Sequence, residues 1–167
     1  MKIYCVGYRS WALNIYKILK QKTSHKFKVQ NKKKKISTKE IKKFNPNYIL
    51  FYGWSDSVPY FLTKNYFCIM LHPSPLPKFR GGSPIQNQII RNIKISKVTL
   101  FKMNHKMDAG PILLTQRLSL EGHIKDIFER LTKIGVSLTL KIFKKQYKLR
   151  VQNEKLVTVY KRRQPSG

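Results

Sequence analysis

The sequence predicts an α/β fold: one domain built on a doubly wound, mostly parallel sheet. The chain opens with a short apolar segment, residues 2–6, which ends at Gly7 and is followed by apolar residues at helical spacing. Two later runs, residues 48–52 and 66–71, are apolar throughout and are bounded by turn formers, a pattern typical of strands buried on both faces of a parallel sheet. Strands that alternate with helices in this way indicate a Rossmann-like sheet.

The first half of the chain predicts two helices between its strands. Residues 23–43 are polar and basic, and they indicate only a short strand near 27–29 and a helix near 38–44. The consecutive lysines at 32–35 predict a solvated loop. The opening strand and Gly7 lead into a first helix, whose buried stripe is Ala12, Leu13, Ile15, Tyr16, Ile18 and Leu19.

The second half begins with a rigid loop. Residues 72–83 hold three prolines and two glycines, which fix a tightly turned segment directly after a buried strand. Ser83 is then predicted to cap a helix that has Pro84 in its first position and reaches Asn92. Its predicted buried stripe is Ile85, Ile89 and Ile90. The remaining predicted elements are a strand at 98–103, an edge strand at 112–120, a helix at 124–145 and a strand at 156–160.

The charge of the chain is strongly one-sided. Thirty-five Lys and Arg residues stand against seven Asp and Glu residues, giving a formal net charge of +28. Such a field attracts polyanions, so nucleic acid is one candidate partner. The alternative is a compositional bias in which most of the lysines form a solvated face.

Cysteine usage and the N-terminus predict a cytoplasmic protein with no membrane partner. Cys5 and Cys68 lie in apolar runs, where a thiol behaves as a small hydrophobe rather than as half of a disulfide or a metal ligand. The apolar segment at residues 2–6 is too short for a signal-peptide core or a membrane span.

Two polar residues at predicted strand ends are the candidates for chemistry. His72 follows the apolar run 66–71 and is held by the proline-rich loop, and Asp108 is the one acid in a long basic stretch. A carboxylate beside an imidazole orients the ring and relays a proton, so the pair indicates acyl or proton transfer. The alternative is a structural, hydrogen-bonding histidine.

A longer pattern surrounds these two residues. It consists of residues 71–86, LHPSPLPKFRGGSPIQ, followed by Val98-Thr99-Leu100 and by Met107-Asp108-Ala109-Gly110, with His72 and Asp108 separated by 36 positions. From about residue 47 to 142 the chain resembles the formyltransferase N-terminal domain family. The resemblance implies transfer of a formyl group from 10-formyltetrahydrofolate to a primary amine through a tetrahedral intermediate. It also implies that His72 and Asp108 are catalytic, with no metal.

The resemblance extends to binding residues and domain limits. It implies a catalytic domain at residues 1–149, with a shortened N-terminal half, and a basic tail at 150–167. The implied substrate contacts are Ser74, Arg80, Gly81, Gly82 and Gln86. The implied contacts to the formyl donor are Tyr52, Gly53, Trp54 and Ser55 on one side, and Asn104, His105, Lys106 and Met107 on the other. Trp54 is read equally well as a pocket wall or as core.

One departure from the family pattern lies beside the histidine. The family usually has an asparagine two residues before it, and this chain has Met70, which cannot donate a hydrogen bond. Three explanations stay open. The chain is an inactive, basic nucleic-acid-binding relative, or its subfamily supplies the donor otherwise, or Asn87 or Asn104 reaches the site.

The acceptor amine is ranked from the tail. Residues 160–165, YKRRQP, resemble the Arg-Arg-x-Pro element of nucleotide-sugar formyltransferases, which favours an amino-sugar nucleotide. Methionyl-tRNA is the alternative, because residues 84–86, PIQ, are shared with that enzyme and the net charge suits RNA. A glycinamide ribonucleotide ranks third. The sequence carries no prediction of oligomeric state.

Overall fold

The structure is a computed structural model that describes residues 1–164. Its helices are Ser10–Lys22 (α1), Thr38–Phe44 (α2), Tyr60–Asn65 (α3), Pro84–Ile89 (α4) and Ile124–Phe143 (α5), with a 3₁₀ turn at Glu154–Leu156. Its strands are Lys2–Val6 (β1), Lys26–Gln30 (β2), Tyr48–Leu50 (β3), Cys68–His72 (β4), Arg80–Gly81 (β5), Ile95–Lys102 (β6), Ile112–Ser119 (β7) and Val159–Tyr160 (β8).

The central sheet has the strand order β2-β1-β3-β4-β6-β7. The first four strands are parallel, and β6 and β7 are antiparallel to their neighbours, with β7 at the edge. The predicted α/β fold with a mostly parallel sheet is therefore confirmed. In the antiparallel β4–β6 pair, His72 lies opposite Thr99 and Ile69 lies opposite Lys102. The two strands therefore end at opposite sides of the sheet: His72 lies at one end of the strand pair, and Lys102 lies towards the other end.

Apolar side chains cover both faces of this sheet. On one face α1 and α5 bury Ile15, Leu19 and Leu131, each fully removed from solvent. Gly135 lets α5 approach α1, because a Cβ atom there would lie 2.6 Å from Cδ1 of Ile15. On the other face a second cluster forms around Phe51. Burial of each aliphatic or aromatic side chain contributes about 1.5–3 kcal/mol, so both layers stabilise the strands that carry the site.

The predicted stripe of helix α4 is partly wrong. Ile85 is buried, but Ile89 and Ile90 are 39% and 54% exposed. The helix is only six residues long, and polar Gln88 takes the inward position. Its amide donates to the carbonyls of Pro73 and Pro84, which satisfies those groups without apolar packing.

Ser83 lies at the predicted N-cap position but does not cap the helix with its side chain. Its backbone is left-handed, with φ 48°, and no capping hydrogen bond forms. The Ser83 hydroxyl instead accepts the backbone N–H of Arg163 at 3.0 Å. Ser83 therefore joins the start of α4 to the end of the described chain.

The segment after residue 149 packs against the rest of the molecule. Arg150 and Ile112 exchange two backbone hydrogen bonds of 2.7 and 2.9 Å. The predicted strand at 156–160 is shorter in the structure, because residues 154–156 form the 3₁₀ turn and only β8 is extended. β8 runs parallel to β5. The division of the chain after residue 149 stays a prediction, and Pro165 of the tail motif lies outside the described residues.

Both cysteines are buried and unpaired. Burial raises the pKa of Cys5 well above its usual range and that of Cys68 to about 12, so each is a neutral thiol. Within residues 1–164, no helix has the length and apolar character needed to cross a membrane.

Candidate active site

Strand β4 and the loop that follows it hold His72, which is 5% exposed. The Ser74 hydroxyl donates to the carbonyl of Lys78 at 2.7 Å, and the Thr99 hydroxyl donates to the carbonyl of Ser74, also at 2.7 Å. These bonds tie the proline-rich loop to itself and to β6. The predicted rigid loop is therefore anchored at its base by side-chain hydrogen bonds.

The ring of His72 has a defined orientation. Its Nε2 atom lies 2.7 Å from the carbonyl oxygen of Phe79. Because a carbonyl oxygen only accepts, Nε2 carries a proton, and the Nδ1 atom of the neutral ring is an acceptor. Phe79 itself is left-handed, with φ 59°, and its N–H donates to the Thr158 hydroxyl at 2.8 Å. The tail therefore helps to fix the carbonyl that orients the imidazole.

Asp108 lies beside this ring. Its carboxylate is 7% exposed, and Oδ2 accepts the backbone N–H of Gly81 at 2.8 Å. The same oxygen lies 3.9 Å from Nδ1 of His72. This distance exceeds a hydrogen bond, although catalytic hydrogen bonds are often long before a substrate binds. The structure thus brings the two predicted residues together in a buried pair.

The two residues do not approach because their strands end side by side. The loop after β6 begins at the end of the strand pair away from His72, because β6 is antiparallel to β4. Gly110 packs against the end of β6, where a Cβ atom would lie 1.8 Å from the Lys102 carbonyl oxygen, and the Gly81 N–H holds the Asp108 carboxylate near His72. Asp108 has φ 54°, a left-handed conformation that Asp tolerates better than most residues.

The first predicted donor-binding segment divides between core and surface. Tyr52 is fully buried, and its hydroxyl forms a 2.8 Å hydrogen bond with that of Thr139 on α5. Gly53 adopts φ 65°. Trp54 is 6% exposed, and within the described chain its indole N–H has no acceptor. Ser55 is exposed, and its hydroxyl contacts that of Tyr8.

The second predicted donor-binding segment, Asn104, His105, Lys106 and Met107, is exposed throughout. Asn104 accepts the N–H of Lys106 at 2.9 Å, which fixes the turn. Met70 and Met103 both pack against the cluster around Phe51, which includes Trp54, and against a third cluster of Leu76, Phe101 and Ile112. The two methionines therefore lie between these apolar clusters.

Met70 occupies the same face of β4 as His72, because side chains two residues apart point to one side of a strand. Asn87 does not supply the missing donor, since its amide already donates to the carbonyls of Gly82 and Lys161. Asn104 is exposed, and a role for it stays a prediction.

The five predicted substrate contacts have different surroundings. Ser74 and Arg80 are buried in internal hydrogen bonds, and Gly81 donates to Asp108. At Gly82 a Cβ atom would lie 2.5 Å from Cα of Arg162, so the tail passes directly over it. Gln86 is exposed on α4. Substrate binding by these residues stays a prediction, and the geometry gives Arg80 an internal partner set.

The sequence analysis did not identify the residues that accept hydrogen bonds from Arg80. Its guanidinium, 3% exposed, donates to Gln152 and Glu154 at 2.9 Å each. The hydrogen bond from Arg80 lowers the pKa of the Glu154 carboxyl, with a further contribution from the nearby Lys106. Glu154 carried a signal, because acids are scarce in this chain and a buried cation needs an anionic or polar partner. Gln152 carried none.

Two cavities lie away from the pair. One of about 340 Å³ opens behind the proline-rich loop and is lined by Leu76, Ile112 and Leu156 among others. Another of about 360 Å³ lies beside Tyr4 and Gln30. Neither is lined by His72 or Asp108. No group of three or more metal-ligating side chains was found in the part of the chain that the structure describes.

The sequence and the fold of the chain are similar to those of known proteins. The model of a family described as formyl transferase matches residues 12–137, well over half of the chain. Methionyl-tRNA formyltransferase of Thermodesulfovibrio yellowstonii is 32% identical over 114 residues, which is 66% of this chain and 37% of that protein. The chain thus spans well under half the length of this curated relative.

Solved structures give the same fold. A methionyl-tRNA formyltransferase from Clostridium thermocellum superposes with a TM-score of 0.88 and 32% identity, covering 98% of this chain and 73% of that one. The formyltransferase PseJ from Anoxybacillus kamchatkensis, solved with a formamido sugar nucleotide and tetrahydrofolate, has a TM-score of 0.73 and 19% identity. That match covers 96% of this chain and 86% of the other.

Proposed function

The chain belongs to the formyl transferase family, and from that premise we propose that it transfers a formyl group from 10-formyltetrahydrofolate to a primary amine. The observation that carries the proposal is the buried pair in which Nδ1 of His72 lies 3.9 Å from the Asp108 carboxylate. The donor supplies a formyl carbon that the acceptor amine attacks. No covalent bond to the protein is needed.

His72 acts through the Nδ1 edge of its ring. The Phe79 carbonyl occupies Nε2, so Nδ1 is the nitrogen that gains or gives a proton during the reaction. When protonated, Nδ1 donates a hydrogen bond and carries positive charge next to the formyl oxygen, where negative charge develops. Stabilisation of developing charge by fixed donors in a buried site is worth several kcal/mol.

Asp108 supports that proton. Its carboxylate is fixed by the Gly81 N–H and faces the ring, so it is placed to stabilise positive charge that develops on His72 during the reaction. Overall the attacking amine loses one proton and the departing folate nitrogen gains one. The His72–Asp108 pair is fixed in the site and can hold a proton. It is therefore suited to carrying the proton from the amine nitrogen to the folate nitrogen.

Residues 52–55 and 104–107 are suited to holding the nitrogen- and oxygen-rich ring of the formyl donor between them. The indole N–H of Trp54 is buried without an acceptor in the described chain, a situation that costs about 1–3 kcal/mol. An acceptor atom on the bound donor would remove this cost. Met70 and Met103 offer adaptable apolar contacts at the base of the same region.

Replacing Met70 by asparagine is expected to raise kcat for formyl transfer by about 10-fold or more. The new amide would add a hydrogen-bond donor on the face of β4 that carries His72, and one such donor is typically worth about 10²–10³ in kcat. Part of this gain is lost because an amide fits less well among apolar neighbours. Steady-state kinetics beside Met70→Leu provide the check, and an equal or lower rate for the asparagine variant contradicts the expectation.

For the acceptor we place methionyl-tRNA first. Curated relatives at 32–39% identity bear that name, and the net charge of +28 suits a phosphate backbone. An amino-sugar nucleotide is the second candidate. It is supported by Arg162 and Arg163, which lie beside Gly82 and Ser83 at the start of α4. We also propose a cytoplasmic location, supported by the two buried, unpaired thiols.

The experiment is a parallel assay of the purified chain with 10-formyltetrahydrofolate and each acceptor class. Tetrahydrofolate release is followed with methionyl-tRNA, a panel of amino-sugar nucleotides, and glycinamide ribonucleotide. We expect acceptor-dependent release with methionyl-tRNA that falls steeply as salt rises. Release with a sugar nucleotide alone would select the second candidate. Steeply salt-dependent RNA binding without turnover on any amine would replace the enzyme by a nucleic-acid-binding relative.

A further inference from the structure

Gln152 joins the two loops that carry His72 and Asp108. It is 4% exposed, although its neighbours Val151 and Asn153 are exposed. Its Oε1 atom accepts from Nε and Nη2 of Arg80 at 3.3 and 2.9 Å. Its Nε2 atom donates to the carbonyls of Asp108 and Gly110 at 2.9 and 2.8 Å. One buried amide therefore uses both of its ends, one on each loop.

The donor end of Gln152 binds the turn that carries Asp108. Asp108 has φ 54°, a backbone state that persists only where the surroundings hold it. The two carbonyls that Gln152 receives lie on either side of Ala109, so they define the turn that presents the Asp108 carboxylate. Without the amide N–H groups both carbonyls would be buried and short of donors, and the turn would relax to reach new partners.

The acceptor end of Gln152 binds Arg80 on the other loop. Arg80 is the first residue of β5, and the next residue, Gly81, donates its N–H to the Asp108 carboxylate. Phe79, on the other side of Arg80, supplies the carbonyl that orients the His72 ring. Holding the Arg80 guanidinium thus holds the residue on each side of it, and each of those contacts one member of the pair.

We propose that Gln152 is a positioning residue that sets the separation and orientation of the His72 ring and the Asp108 carboxylate. It forms no hydrogen bond with either of these side chains and acts through Arg80 and the 108–110 backbone. The kinetic consequence rests on the proposed formyl transfer, whereas the geometric consequence does not. The two are therefore tested by separate measurements on the full chain.

The experiment compares wild type with Gln152→Glu, Gln152→Met and the control Val151→Thr. Glutamate keeps the acceptor for Arg80 but has no N–H for the Asp108 and Gly110 carbonyls, and methionine keeps the shape but neither polar end. Val151 is 86% exposed, so its variant tests a change in the same segment. Nitrogen-15 NMR of the His72 ring, assigned with His72→Gln, reports the geometry, and kcat and KM report the chemistry.

We expect kcat to fall about 10- to 100-fold in both Gln152 variants with KM for the donor unchanged, because a displacement near 1 Å costs on this scale. The His72 ring resonances shift in both Gln152 variants. Val151→Thr keeps the wild-type kcat and the wild-type ring resonances. Wild-type ring resonances in Gln152→Glu overturn the proposal, and so does unfolding of both Gln152 variants at 25 °C. If wild type shows no turnover, the proposed function fails alone and the NMR spectra still decide the role of Gln152.

Discussion

Replacing His72 by alanine lowers kcat for formyl transfer by about 10²–10⁴-fold, the range typical of a side chain that moves a proton in the transition state. The methyl group of alanine can neither hold the proton nor donate to the formyl oxygen. KM for the donor should change little, because the predicted donor contacts lie on residues 52–55 and 104–107. Steady-state kinetics at saturating acceptor measure both quantities.

The matched control for this substitution is His123→Ala. His123 is exposed before helix α5, and its side chain makes no capping hydrogen bond there. Equal losses in the two variants would mean that imidazole removal acts through folding or net charge. Wild-type kcat in the folded His72→Ala protein would remove this histidine from the chemistry and leave the structural alternative.

Replacing Gly110 by alanine destabilises the protein by about 3 kcal/mol and nearly abolishes turnover. The new Cβ atom would lie 1.8 Å from the Lys102 carbonyl oxygen, a backbone atom that cannot rotate away. The 103–111 loop must therefore move off β6, and Asp108 moves with it. For a chain of this size the midpoint of thermal unfolding should fall by about 6–12 °C.

The control for Gly110 is Ala109→Ser, which adds one atom at the half-buried neighbouring position. Thermal unfolding followed by circular dichroism and kcat at 20 °C are measured on both variants. A Gly110→Ala protein with a wild-type melting temperature and normal turnover would show that the loop does not depend on this close approach. In that case the position of Asp108 would depend on its hydrogen bonds to Gly81 and Gln152 rather than on Gly110.

Much of the fold is predictable because its buried strands are legible in the sequence. Residues 48–52 and 66–71 are continuous apolar runs, and both become parallel strands of the central sheet. Local pattern failed where polar groups took an inward position, as Gln88 does in α4 at the expense of Ile89. Strand direction was also out of reach, since the residues of β6 carry no sign that it runs antiparallel to β4.

The candidate site divides in the same way. His72 and Asp108 stand out because each is a rare polar residue in a distinctive loop. Gln152 gave no signal, because its importance arises from contacts to residues 42 to 72 positions earlier in the chain. The ion pair between Arg80 and Glu154 was open to prediction, because a buried cation needs an anion and acids are scarce in this chain. The uncharged Gln152 offers no such signal.

The most direct measurement of the central claim is a single-turnover assay in which excess wild-type chain is mixed with 10-formyltetrahydrofolate and methionyl-tRNA, beside Asp108→Asn. The variant keeps an oxygen acceptor for the Gly81 N–H but removes the charge that faces His72. We predict tetrahydrofolate and formylated acceptor in equal amounts for wild type, and a rate about 10²-fold lower for the variant with unchanged donor binding. Equal rates for the two proteins, or donor loss without a formylated amine on any acceptor, would contradict formyl transfer by the His72–Asp108 pair.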